Sequence, residues 1–174
     1  MKGVILYQSK YGATKMYAEW LSEETGFKCI ETKKADINEI ITYDTIILGG
    51  AIYASGIAGL SFLKKNIRKL AGKKIVVFCC GASPYEEKAI QQIREHNMQG
   101  DLSDIPFYYC RGAWNMGAMS FKDRTLCKLL RKSVAKKDPS EYELWEKALM
   151  EAGDDKCDWT DKKYLDPIIE CIKR

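Results

Sequence analysis

Up to Cys110 the chain alternates short apolar runs with stretches of helical period. Val4-Ile5-Leu6-Tyr7, Phe27 to Thr32, Thr45 to Leu48, Lys74 to Cys80 and Phe107 to Cys110 are the apolar runs. Each reads as a strand, and the first, Val4 to Tyr7, as one buried on both faces. Between them, Met16, Tyr17, Trp20 and Leu21 give a 3.6 period from about Lys15 to Glu24, with Gly26 as a stop. Asp36 caps a short turn holding Ile37, Ile40 and Ile41. Leu60, Phe62, Leu63, Ile67 and Leu70 mark another helix, and a further one runs from about Glu86 to His96. Strand and helix in strict alternation are βαβ units. They predict a doubly wound α/β fold with a five-stranded parallel sheet covered on both faces.

The alternation lapses between Gly112 and Asp158. Phe121 to Lys136 has an amphipathic pattern, with Leu126, Leu129, Leu130, Ser133 and Val134 on one face and Arg124, Lys128, Arg131 and Lys132 on the other. The expected placement packs the apolar face on the domain and leaves the charges solvated. The alternative is peripheral contact with an anionic membrane surface. Asp138-Pro139-Ser140-Glu141 reads as a helix start, followed by Tyr142, Trp145 and Leu149 on one face and Gly153 as the stop. A last helical segment, about Thr160 to Ile172, returns to the sheet, with Pro167 kinking or restarting it. The organisation expected is a single domain over residues 1–174 with a helical insertion at 113–158.

Composition narrows the function classes. The 174 residues suit one sizeable core, and 46% apolar with 30% charged residues is ordinary for a globular chain. A net charge of +4 is too weak to point to nucleic acid. No apolar run is long enough to span a bilayer, and no signal-peptide pattern is present. Seven cysteines, an odd number without a Cys-x-x-Cys pair, fit reduced buried thiols in a cytoplasmic protein. With His96 the one histidine, no metal site is expected. No residue stands out as a catalytic acid or base, and the oligomeric state stays open.

In a doubly wound sheet the ligand sits beyond the carboxyl ends of the strands, where strand order reverses. For strand order 2-1-3-4-5 that point lies between the first and third strands. Three loops converge there. The first is Ser9, Lys10, Tyr11, Gly12, Ala13 and Thr14. It joins a buried strand to a helix start, where free N–H groups and the helix dipole favour an anion. Its hydroxyls, its glycine and its lysine suit a phosphate, and the simpler alternative is a helix cap. The second loop is Ala51, Ile52, Tyr53, Ala54, Ser55 and Gly56, running uncharged to Gly59. The third is Gly81, Ala82, Ser83, Pro84 and Tyr85. One tyrosine in each uncharged loop, Tyr53 and Tyr85, suits a flat aromatic ring joined to the phosphate. The P-loop ending and the dinucleotide fingerprint are both missing. A phospho-receiver is excluded because Gln8-Ser9 and Gly49-Gly50 stand where it needs acids.

The turn Ser9-x-Tyr11-Gly12-x-Thr14 after an N-terminal strand resembles the FMN-phosphate loop of flavodoxins, Thr/Ser-x-Thr-Gly-x-Thr, with Tyr11 in place of the middle Thr. The resemblance covers residues 1 to about 112 and the last helix. It implies a flavodoxin-like fold and bound FMN. Ser9 to Thr14 would hold the phosphate. Ala51 to Gly56 and Gly81 to Tyr85 would hold the ring, with Tyr53 and Tyr85 as stacking candidates. The segment GGAIYASG and the insertion beginning Arg111-Gly112-Ala113 are similar to the flavodoxin-type, quinone-linked protoporphyrinogen oxidases. That likeness implies an FMN-dependent oxidoreductase acting on a small-molecule redox substrate or quinone. An electron carrier with a redox partner protein, or a flavin-free adaptor, are the alternatives. Neither ring loop carries an acid before Glu86, so a flavin held there is expected to be less reducing than in an acidic carrier.

Overall fold

The computed structural model describes residues 2–174. Five parallel strands form the central sheet: β1 (Gly3–Gln8), β2 (Lys28–Glu31), β3 (Thr45–Tyr53), β5 (Lys74–Gly81) and β6 (Phe107–Arg111). A two-residue strand, β4 (Gly56–Ile57), hangs antiparallel on β3. The spatial order is β2-β1-β3-β5-β6, the 2-1-3-4-5 order expected for the parallel strands, and it reverses between β1 and β3. Helices α1 (Ala13–Thr25) and α7 (Asp166–Lys173) pack on one face. The short α2 (Ile37–Ile40), α3 (Leu60–Asn66) and α4 (Glu87–Asn97) cover the other. Alternate strand residues feed the two cores. Ile5, Ile47, Val76 and Phe78 meet Tyr17 and Leu21, while Val4, Leu6, Ile46, Leu48 and Val77 meet Ile40, Leu63 and Leu70. All of these except Leu70 are fully shielded from water, and Leu70 nearly so, the double burial that continuous apolar strands predict.

Helix α1 ends as expected, with Gly26 in the left-handed region donating its N–H to the Ser22 carbonyl. Pro167 restarts the last segment: a 3-10 turn at Lys162–Leu165 precedes α7.

Three expectations need correction. The strand expected over Thr45 to Leu48 continues to Tyr53, and Gly49-Gly50 lie inside it. They are there for packing. A Cβ on Gly49 would lie 2.1 Å from the Phe78 ring, and one on Gly50 would lie 2.2 Å from the Ala58 carbonyl. The uncharged loop from Ala51 to Gly59 is consequently the end of β3 and a tight hairpin into β4, with Ile52 paired to Ile57 and Tyr53 to Gly56. Its turn residues, Ala54 and Ser55, both have positive φ, 46° and 65°, as the twist of a two-residue hairpin demands.

The second correction concerns the helix start at Asp138. Asp138 does cap a turn, accepting from the Ser140 N–H, but the turn is 3-10 and stops at Glu141. Helix α6 (Leu144–Ala152) begins after it, with Glu143 and Glu146 capping each other's backbone. The insertion is also not purely helical. Strands β7 (Ala113–Asn115) and β8 (Lys156–Asp158) pair antiparallel and bring its two ends together. Strands of three residues are too short to leave a periodic signal.

The third correction concerns α5 (Phe121–Val134). Val134 is buried, but Leu126, Leu129 and Leu130 are exposed. The leucine face is turned away from the domain.

Candidate functional site

The carboxyl ends of β1, β3 and β5 carry the three loops. The first begins where β1 ends. The Gly12 N–H donates to Ser9 Oγ at 3.1 Å, closing the turn. Gly12 has φ +103° with open space where a side chain would stand, a conformation glycine adopts without strain. Helix α1 then starts with no side-chain cap and no acid in its first turn. Its N–H groups and dipole are left free for an anion. Thr14 is 1% exposed, and its buried Oγ1 has no hydrogen-bond partner. Buried hydroxyls are normally paired, because an unpaired one costs its desolvation. An oxyanion at the helix start would supply the missing partner. The first loop therefore fits a phosphate on its own geometry.

The second loop is the β3–β4 hairpin. Asn97, buried at the end of α4, secures it. Its Oδ1 accepts from the Ile57 N–H at 3.2 Å, and its Nδ2 donates to the Ser55 carbonyl at 2.8 Å and the Ile93 carbonyl at 2.9 Å. Tyr53, half-exposed at the end of β3, stands with Lys10 Nζ 4.4 Å from its ring centre. That contact joins the first and second loops.

The third loop leaves β5 at Gly81, which lies against Ile52 of the second. It is held from β6: Tyr109 donates its hydroxyl to the Ser83 carbonyl at 2.5 Å, and Arg111 Nε donates to the Ala82 carbonyl at 3.1 Å. Burial pushes the Tyr109 hydroxyl well above its ordinary range, so it stays a donor. Gly112 approaches Ala13 of the first loop and donates its N–H to the Gly81 carbonyl at 2.7 Å. Ser9 to Thr14, Ala51 to Gly56 and Gly81 to Tyr85 are thus gathered at one end of the sheet. The two tyrosines are not paired with each other. Tyr85 is exposed and faces Tyr109, with ring centres 6.4 Å apart.

One residue of the site had no counterpart in the sequence reading. Asp123, in the first turn of α5, is almost wholly buried. Its carboxylate accepts from the Tyr11 hydroxyl, from the Tyr53 hydroxyl at 2.9 Å and from Lys10 Nζ at 2.5 Å. Lys10 above all, and then Tyr11, hold the Asp123 carboxyl far below the usual carboxylate range. The hydrogen bond to Asp123 raises the Tyr53 hydroxyl and the Lys10 ammonium in turn. Asp123 is the N3 residue after Ser120, whose Oγ accepts the Asp123 N–H. A Ser-x-x-Asp start was visible in the sequence, but it signals a cap and says nothing of where the carboxylate lands. The charge-free surroundings expected of the ring loops are corrected accordingly: an acid enters from the insertion, and Lys10 neutralises it.

Tyr11 also departs from the expected loop. Its hydroxyl is spent on Asp123 and accepts from the Ser120 N–H at 3.4 Å. Glu86 and Glu87 lie at the start of α4, as expected of acids favouring a helix N-terminus. Beyond β6, an open cleft of about 580 Å³ is lined by Arg111, Trp159, Thr160, Asp161, Lys163 and Tyr164. The Arg111 guanidinium stacks 4.3 Å from the Trp159 ring centre while its Nε holds the third loop. The cleft and the loop cluster share that one side chain.

No curated protein matches the chain. Solved structures similar to it include the two-electron reduced flavodoxin of Megasphaera elsdenii, 19% identical over 62% of this chain and 82% of that one, TM-score 0.47. A flavodoxin, WrbA-like protein from Agrobacterium tumefaciens is 18% identical over 71% and 87%, TM-score 0.42. A flavodoxin mutant from Fusobacterium nucleatum, bound to flavin mononucleotide, is 16% identical over 70% and 74%, TM-score 0.37. Residues 4–143, well over half of the sequence, match the flavodoxin domain family, and the chain belongs to that family.

Proposed function

We propose that the protein binds FMN at the three loops and works as an FMN-dependent oxidoreductase. The observation that carries this reading is Thr14: a buried hydroxyl without a partner, at an uncapped helix start, in a chain of the flavodoxin family. Ser9 to Thr14 would hold the phosphate. Ala51 to Gly56 and Gly81 to Tyr85 would hold the ring, with Tyr53 and Tyr85 beside it. Bound flavin supplies the redox chemistry, and the protein supplies binding, orientation and electrostatics. The direct test is the visible spectrum of the purified protein, before and after incubation with FMN, with chromatography of any chromophore released on denaturation. Flavin bands released as FMN support the reading. A colourless protein that takes up no FMN overturns it and favours an adaptor.

An enzyme is preferred to a bare carrier because of the cleft at Arg111 and Trp159. It gives a small molecule room next to the third loop. The finer reading, oxidation of a porphyrinogen with a quinone as electron acceptor, rests on GGAIYASG and Arg111-Gly112-Ala113. Turnover of protoporphyrinogen with a soluble quinone under anaerobic conditions tests it. Quinone-independent failure of turnover, with FMN bound and reducible, returns the carrier.

A further inference from the structure

We propose that the outward face of α5 is a docking surface for an anionic lipid bilayer. A helix on a water-soluble domain buries its apolar stripe and shows its charges. Helix α5 leaves most of its apolar residues exposed alongside its lysines. Phe121 is 85% exposed and Leu129 59%, with Leu126 and Leu130 exposed beside them. The side turned to the protein carries Asp123 and Val134, both buried, together with Arg124 and Arg131. Arg124 donates to the carbonyls of Gly117 and Met119, and Arg131 to the Asp154 carboxylate at 2.8 Å. The helix is therefore anchored through its polar side, and these bonds fix which side faces out.

Charge decides what that side fits. Lys122, Lys128 and Lys132 are exposed among the apolar residues. The helix's single acid, Asp123, points inward onto Lys10. A second copy meeting this face through a two-fold axis would set lysine against lysine. An anionic bilayer complements both parts: acyl chains take Phe121 and the leucines, and lysine stems reach up to headgroup phosphates. Among the described residues no helix is long and apolar enough to cross a membrane, so the contact is interfacial. The proposal stands apart from the flavin reading, since it uses none of the loop residues.

The test is sedimentation of the full chain with vesicles of phosphatidylcholine and phosphatidylglycerol, 70:30 in the usual proportion (~), against vesicles of phosphatidylcholine alone. Selective binding to the anionic vesicles is expected, weakening at high salt as screening shortens the reach of the lysines. Each of Lys122→Gln, Lys128→Gln and Lys132→Gln should lower partitioning about fivefold. Phe121→Ser with Leu129→Ser should lower it more than tenfold, because buried apolar area is lost. Circular dichroism and FMN uptake, unchanged in both sets, keep a folding defect or a failed flavin site distinct from a failed membrane site. Absence of wild-type binding overturns the proposal, as does binding that either set leaves intact. Self-association without vesicles that Phe121→Ser with Leu129→Ser abolishes assigns the face to a second copy instead.

Discussion

Through Asp123 the insertion reaches Lys10, Tyr11 and Tyr53, residues of two different loops. Asp123→Asn keeps the shape and removes the charge. It is expected to lower Tm by roughly 3–6 °C at pH 7, since hydrogen bonds to a charged group are the stronger kind. FMN affinity should weaken about tenfold as the cross-tie between the loops loosens. The pH dependence has a definite sign. The Asp123 carboxyl is depressed in the folded protein, so its stabilisation is fully present above its unfolded value near 4 and is lost progressively as pH falls from there through the depressed folded value. Lys10 is raised, so its part persists below its unfolded value near 10.4 and is lost as pH rises through the folded value. Melting curves of wild type and Asp123→Asn should differ by a constant amount from about pH 5 to 9, and the gap should narrow progressively as pH falls below about 4 toward the depressed folded value. A gap that does not narrow at all in acid would show that Asp123 acts by shape alone. Tyr17 makes a second long-range tie. Fully buried, it donates to the Arg111 carbonyl at 2.6 Å and accepts from the Asp161 N–H at 3.1 Å. Tyr17→Phe removes both bonds and should cost about 1–3 kcal/mol, read as a lower denaturant midpoint at constant slope.

The β3–β4 hairpin carries a cost that could be relieved. Ala54 and Ser55 hold positive φ without the glycine or asparagine that such turns prefer. Ala54→Asn with Ser55→Gly is expected to raise stability by about 1–2 kcal/mol in a denaturant titration, as left-handed strain is removed. The Asn97 bond survives, because it uses the Ser55 carbonyl. A neutral or destabilising result would mean the turn is not left-handed in solution. The same hairpin marks what the sequence could show. The inner strands β1, β3 and β5 were legible because burial on both faces leaves continuous apolar runs, the edge strands β2 and β6 because they fall in the same alternation with helices, and α1, α3 and α4 because their periods are regular. The hairpin was not, since Gly49-Gly50 looks like a breaker until Phe78 and the Ala58 carbonyl are known to press on it. The first site loop was legible in its local chemistry, and the third in its position after β5. Asp123 was not, because its partners lie 70 residues or more away in sequence. The outward leucines of α5 escaped for the converse reason: a period shows that a helix has two faces, while tertiary contacts such as Arg131 to Asp154 choose which one is buried.

Across the whole molecule, the insertion leaves and rejoins the sheet at one place. Strands β7 and β8 pair, and the Trp159 N–H donates to the Gly112 carbonyl at 3.1 Å. Gly112 in turn bonds Gly81 and touches Ala13. The three loops, the sheet and the insertion therefore share their anchoring points, and a ligand held by the loops should stabilise the fold as a unit. A ligand that binds the folded state alone adds about 2.7 kcal/mol at one hundred times its dissociation constant. For a chain of this size that raises Tm by roughly 5–10 °C. Thr14→Val separates the ligand's contribution from the protein's own. Without FMN the substitution removes a buried hydroxyl that has no partner, so the variant should melt at the same temperature as wild type or up to about 4 °C higher. With FMN it lacks a donor to the phosphate, and most of the ligand-induced rise should vanish. Opposite signs in the two conditions are the signature of a hydroxyl kept for a ligand. A variant that loses stability equally with and without FMN would show instead that Thr14 serves only the packing of α1.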